Sequence, residues 1–368
     1  MTTSTAAASE ALAELVATRR VLVCCGSGGV GKTTTAAVLA MEAARQGRRA
    51  VVVTIDPARR LADALGLEGL TNDPSRIAGE WPGEMSALML DTEGTFDGLV
   101  RKYAGDPEQS ERILANRFYR NIAGALSGTQ EYMASEKLYE LHAETDFDLV
   151  VVDTPPTRNA LDFLDAPQRL ARFLDHRLYR MVTAPTRGFV KAVNVAAQGF
   201  LRSVGKVVGG EVIADAIAFF AAFDGMEEGF KSRARSVDAL LRADETAFLL
   251  VASPKTDTVA EATYFAEELH SHGIEVRALV VNRMLPDPGP GSAAADEQRA
   301  ATLAGTPLGE QFGVLAGMRR VAQGEAEHLA TLTERIQPAP VCRVPFLPFE
   351  VTDLDTLGAF GDLLLGRA

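Results

Sequence analysis

The sequence predicts an α/β fold: a mostly parallel sheet with helices on both faces, plus a helical subdomain. Three observations predict it. A glycine-rich stretch, Gly26, Ser27, Gly28, Gly29, Val30, Gly31, Lys32, Thr33 and Thr34, follows the apolar run from Val21 to Cys25 and opens a helical run. Apolar runs of strand length alternate with helix-length segments along both flanks of the chain. Between residues 165 and 243 that alternation stops and only helical patterning continues.

The order strand, glycine loop, helix is the context that a phosphate-binding loop requires. Glycines let the backbone turn several N–H groups inward at a helix N-terminus, where they converge on phosphate oxygens. Lys32 then reaches the β- and γ-phosphates, and the Thr33 hydroxyl ligates Mg²⁺. The flanking strand and helix separate this reading from that of a glycine turn which merely connects two elements. The chain is thus expected to be a nucleotide-binding protein of the P-loop NTPase fold.

The remaining elements follow in order. Residues 1–10 are rich in Thr, Ser and Ala and are expected to fray, at the start of an N-terminal arm over residues 1–18. The P-loop domain is expected over 19–164 and 244–368. The helix after the loop ends at Gly47, and residues 49–55 form a buried strand closing at Asp56 and Pro57, which completes a right-handed βαβ unit. A short strand at 86–90, a helix at 92–103 and a helical stretch at 106–144 lead to the apolar strand 147–153, which ends in Asp153. The insertion at 165–243 carries many apolar side chains on helical spacing. Strands at 247–252, 276–282 and 341–346 then alternate with helices at 258–270, before 335 and at 353–365. The Pro/Gly/Ala segment 285–295 is expected to be a mobile loop. There is no internal repeat and no heptad run.

Composition narrows the classes. With 368 residues, 47% hydrophobic, the chain can hold one large domain or two ordinary ones. A net charge of -12 opposes a general nucleic-acid or anionic-membrane surface. Three cysteines without a CxxC pair give neither a disulfide framework nor a zinc signature. No basic-then-apolar leader and no run of about 18 apolar residues occurs, so a cytoplasmic protein is expected, peripheral at membranes only through a partner.

Two acids carry the chemistry. Asp153 closes a strand of the hhhhD type, whose acid lies beside the loop and holds Mg²⁺ directly or through water. Asp56 ends the preceding strand and faces the mouth where a γ-phosphate would lie. Such a carboxylate suits positioning of an attacking water better than full proton abstraction. A capping role, with Pro57 starting the next helix, fits its position equally well.

Gly28 to Thr34, the run Asp56-Pro57-Ala58-Arg59-Arg60-Leu61-Ala62-Asp63 and Asp153-Thr154-Pro155-Pro156-Thr157 together resemble the arsenical-pump and tail-anchored-protein-targeting ATPases. That family has a deviant Walker A loop, and the resemblance covers about residues 20 to 365. It implies an ATP- and Mg²⁺-dependent dimeric switch, a homodimer or a dimer with a related chain. Asp56 becomes the water-positioning residue of switch I, and residues 153–157 become switch II. Asn282 reads the adenine ring, with Pro345 and Phe346 beside it. Without the resemblance, Asn282 would read as a helix cap.

The sequence departs from the family pattern in three ways. Ser27 stands where a signature lysine is usual, so slow hydrolysis is expected, and Lys255 is a candidate to carry the missing charge. The cysteine pair that holds zinc in eukaryotic targeting dimers is absent. The cysteine triad of arsenite-activated members cannot be built from Cys24, Cys25 and Cys342. The resemblance also implies that 165–243 forms a groove for a hydrophobic protein client, lined by Leu178, Met181, Val182, Phe189, Val190, Phe200, Met226 and Phe230. The same residues serve equally as the insertion's own core. Two other functions stay open: a nucleotide-binding scaffold that does not hydrolyse, and a partitioning ATPase, which the acidic C-terminal tail opposes.

Overall fold

The computed structural model describes residues 2–56, 58, 60–120, 129–155, 162–175, 215, 218–219, 222–223 and 225–367. Of the sequence-predicted positions, Pro57, Arg59, Pro156, Thr157 and the groove candidates from Leu178 to Phe200 lie outside the described residues.

The described chain divides into two compact units: residues 1–89, 146–161 and 244–368 in the first, and 90–145 and 162–243 in the second. The first unit is built on an eight-stranded sheet in the order β3-β4-β2-β5-β1-β6-β7-β8. Its strands are β1 Val21–Cys25, β2 Arg49–Thr54, β3 Ser75–Ile77, β4 Glu84–Met89, β5 Leu149–Asp153, β6 Thr246–Ala252, β7 Val276–Met284 and β8 Val341–Pro345. All neighbours are parallel except β3, which pairs antiparallel with β4 at the edge.

Parallel strands joined by crossover helices are buried on both faces, which is why VLVCC, AVVV and LVVV read as unbroken apolar runs. Leu22, Cys24, Val52, Val151, Leu249 and Val280 point to one face, where they join helix α2 (Lys32–Arg45) and the helix Leu354–Leu364 in one core. Val23, Val152, Leu250 and Leu279, of opposite parity, are buried on the other face, where the helix Thr256–Ser271 packs on β6 and β7.

The register aligns Cys24 with Asp153 and Thr54 with Asp153. The loops after β1, β2 and β5 therefore leave the same carboxyl edge, with β1 between β5 and β6. Ligands of open α/β sheets bind at such an edge, where the strand order reverses.

Three expectations need correction. The N-terminal arm is not frayed over its length: Thr2–Thr18 is helix α1, and Ala8, Leu12 and Val16 are buried in the main core. Their four-residue spacing puts an apolar stripe on a helix of good formers. Ser9 Oγ ties the helix to the Leu364 carbonyl at 3.1 Å. The segment after β7 is held rather than loose, because Arg319 donates to the carbonyls of Gly289 and Pro290 at 2.6 and 2.8 Å. Finally, the short edge strand β3 was missing from the sequence reading, since three residues give too little pattern to detect.

The second unit also takes in residues 90–145, so its helices start well before the insertion expected at 165. Val100, Tyr119, Phe219, Phe223, Met226 and Phe230 share its core, with the Phe223 and Phe230 rings 5.0 Å apart. Met226 and Phe230, at 1% exposure each, are core residues and do not line an open groove.

Candidate functional site

The loop from Gly26 to Gly31 bends through conformations that L-residues rarely adopt, with φ of 150° at Gly26, 75° at Gly29 and 98° at Gly31. Two of these glycines are also close-approach points. A Cβ at Gly26 would lie 2.1 Å from the Val251 carbonyl oxygen, and one at Gly31 would lie 2.4 Å from Asn282 Nδ2. Gly31 is the N-cap of α2 and supplies no side-chain acceptor, so the first-turn N–H groups keep the anion-binding character of a helix start.

Lys32 opens that helix, is buried, and donates from Nζ to the Ser27 carbonyl at 2.7 Å. Burial, the largest cause, holds its ammonium below the usual lysine range, with Asp153 pulling the other way. Ser27 is buried at 4% exposure, and its Oγ has no hydrogen-bond partner among the described residues.

Asp153 is buried at the end of β5. Its Oδ2 accepts from Thr33 Oγ1 at 2.8 Å and from Thr54 Oγ1 at 2.9 Å, while Oδ1 is buried without a partner among the described residues. Burial pushes its carboxyl up to about 6, against the pull of both threonines and Lys32. An orphaned carboxylate oxygen beside a threonine hydroxyl is a donor set suited to a hard cation that keeps most of its waters, as Mg²⁺ does. Among the described residues no group of three or more His, Cys, Asp or Glu could hold a metal, so such an ion would rest on few protein ligands.

The strain at Asp153 has a measurable sign. An unfolded aspartate titrates near 4. Between about 4 and 6 the folded chain therefore binds more proton than the unfolded one, and stability falls as pH rises through that window. Asp153→Asn removes the buried charge and keeps an acceptor for the threonines. Metal-free Asp153→Asn protein is expected to be more stable than the parent by about 1–3 kcal/mol at pH 8, with the gain gone near pH 4. Urea unfolding at the two pH values checks this; an equal difference at both contradicts it.

Asp56, 9% exposed, follows β2 on the same edge. Its N–H donates to Thr54 Oγ1 at 3.2 Å, its Oδ1 accepts from Ala58 N at 3.0 Å, and its Oδ2 pairs with Arg60 Nη1 at 3.3 Å. Thr54 thus links the Asp56 backbone amide to the Asp153 carboxylate, since the same hydroxyl donates to Asp153. The sequence reading gave no role to Thr54 or Arg60. Their signals were present: a threonine two residues before the acid, and a cation four residues after it on the next helix, Arg60–Ala64.

Asn282 sits at the carboxyl end of β7, buried, with Nδ2 donating to the Val30 carbonyl at 2.9 Å and Oδ1 accepting from Arg283 N at 2.8 Å. Its amide clamps the glycine loop and keeps one N–H and one lone pair for other use. Pro345 pairs with Met284 in register, and Phe346 is 65% exposed, its N–H bonded to the Met284 carbonyl at 2.7 Å. Gly28 and Gly29 are exposed at the tip of the loop, and Thr34 is half-buried on the first turn of α2. Thr154 follows Asp153 and anchors on the Cys24 carbonyl at 2.7 Å. Lys255 is exposed at the start of the helix Thr256–Ser271. Burial pushes the Cys25 and Cys342 thiols up to about 12, so they are packing residues rather than nucleophiles.

Residues 19–301 match the model of the family described as anion-transporting ATPase. Fungal relatives named ATPase GET3 include that of Aspergillus terreus, 25% identical over 354 residues, covering 92% of this chain and 88% of the relative. That of Phaeosphaeria nodorum is 26% identical over 265 residues, covering 71% and 75% respectively. That of Malassezia globosa is 28% identical over 270 residues, covering 73% and 74%.

Proposed function

The chain belongs to the anion-transporting ATPase family, and on that premise we propose that it is a Mg²⁺-dependent, ATP-hydrolysing dimeric switch. The observation that carries this reading is the pair of buried oxygens, Ser27 Oγ and Asp153 Oδ1, that find no partner among the described residues at the loop that Lys32 and Gly31 define. Buried polar atoms without partners are costly unless a ligand satisfies them.

In the reaction, water attacks the γ-phosphorus, the bond to the β–γ bridging oxygen breaks, and ADP, phosphate and a proton leave. The N–H groups of Gly28 to Thr34 and the Lys32 ammonium hold the β- and γ-phosphates. Thr33 and Asp153 would hold Mg²⁺, which would neutralise charge on the phosphates. Asp56 orients the attacking water, and Thr54 links its backbone amide to the Asp153 carboxylate. Asn282 holds the glycine loop and offers its remaining donor and acceptor to adenine, with Pro345 and Phe346 beside the ring. Ser27 brings no charge, so turnover is slow.

The nucleotide state sets the association of two subunits, alike or related, and through it the binding of a hydrophobic protein client or membrane-associated partner by residues 165–243. This coupling rests on the family resemblance. Among the described residues no helix is long and apolar enough to cross a membrane. Analytical sedimentation tests the switch: the full chain is expected to dimerise with a non-hydrolysable ATP analogue and Mg²⁺, and to loosen with ADP. Identical profiles in the two nucleotides contradict it.

A further inference from the structure

We propose that Arg60 is the second cation of the ATP site: paired with Asp56 in this structure, it moves onto the γ-phosphate of bound ATP and frees Asp56 Oδ2 for the attacking water. This rests on the ATPase reading above and names the residue that answers the neutral Ser27.

The loop itself supplies one cation, Lys32, beside two acids, Asp56 and Asp153. Phosphoryl transfer spreads negative charge over the equatorial oxygens, and a further cation there commonly supplies a large part of the rate. Arg60 is a planar cation already paired with one of these acids. Its Nη1 lies 3.3 Å from Asp56 Oδ2. A guanidinium on Asp56 sits at the same carboxyl edge of the sheet as the glycine loop after β1 and Asp153 at the end of β5.

The pairing is also one that can be exchanged. The Arg60 side chain is 56% exposed, and ion pairs of that exposure are weak beside a multiply charged phosphate. Asp56 keeps its other oxygen on the Ala58 N–H at 3.0 Å, so the carboxylate stays aimed when Arg60 departs. A recess lined by Thr54, Ala58, Leu61, Ala62 and Met89 lies beside the segment, which gives it room to shift. Lys255 shows no such link: it is exposed, and the described structure pairs it with no acid.

The exchange makes two events conditional on one ligand. Without a γ-phosphate, Arg60 occupies the acid that orients water. With one, the same arginine stabilises the transferring group and the acid is released. ADP lacks the group that draws Arg60 away, so the site distinguishes the two nucleotides.

Arg60→Ala tests this, with Arg60→Lys beside it. Turnover of Arg60→Ala is expected to fall about 100-fold, and its preference for ATP over ADP by about tenfold. Added guanidinium ion is expected to restore part of the turnover, and Arg60→Lys to keep an intermediate rate. A merely structural arginine would not respond to guanidinium. Turnover within threefold of the parent, or above it, overturns the proposal and moves the missing charge elsewhere, with Lys255 next. If the parent protein hydrolyses nothing, the ATPase reading fails. The ATP-to-ADP affinity ratio still decides on Arg60 then, and an unchanged ratio overturns its role.

Discussion

Asp56→Asn is expected to leave ATP bound and to lower turnover by about 100- to 1,000-fold. Asparagine keeps the shape of aspartate and can still accept from Ala58 N, so the turn after β2 survives. What it loses is the second anionic oxygen, which pairs with Arg60 here and which a water would need. The lost ion pair itself is half-exposed and is worth only about 0–1 kcal/mol, so stability is nearly unchanged. Phosphate release and ATP affinity measured on the same preparation separate the outcomes. A variant that turns over at the parent rate returns Asp56 to the role of a capping residue.

Gly26→Ala is expected to destabilise the fold by about 3–5 kcal/mol, or to prevent folding. The added Cβ would sit 2.1 Å from the Val251 carbonyl oxygen, which is backbone of β6 and cannot swing aside. The φ of 150° adds strain for any L side chain. Separating the two strands would break the β1–β6 ladder that sets Cys25 beside Leu250. Gly29→Ala is the control: its Cβ meets nothing within 4 Å among the described residues, and only the left-handed backbone at φ 75° costs, about 1–2 kcal/mol. Urea unfolding of both variants checks the contrast. Equal losses would mean that conformation, and not the close approach to Val251, decides at this loop.

The parts of the site legible in the sequence are those whose chemistry is local. Residues 26–34 carry their own geometry, because glycine spacing and a following helix are sequence properties. The acids Asp56 and Asp153 were visible because each ends an apolar run, and the parallel register then brings both to one edge. Thr54, Arg60 and the clamp of Asn282 on the Val30 carbonyl were not assigned. Each depends on a side-chain rotamer or on a contact between β7 and a loop 252 residues earlier in the chain. Helix α1 was misread for a different reason: Thr, Ser and Ala at the start suggest a solvated arm, yet Leu12 and Val16 are fully buried. Burial of a terminus is decided by the surface it meets, here the helix Leu354–Leu364 and β8, which lie at the other end of the sequence. The extent of the helical unit was underestimated because the helices of residues 90–145 precede β5 and read as part of the sheet's crossover.

The measurement that bears most directly on the account is phosphate release from ATP by the purified full chain, with Mg²⁺ and then with excess chelator. The account predicts slow, stoichiometric formation of ADP and phosphate that stops when the metal is removed. ATP that binds tightly through many hours with no phosphate formed, with or without Mg²⁺, would contradict it and leave a nucleotide-binding scaffold.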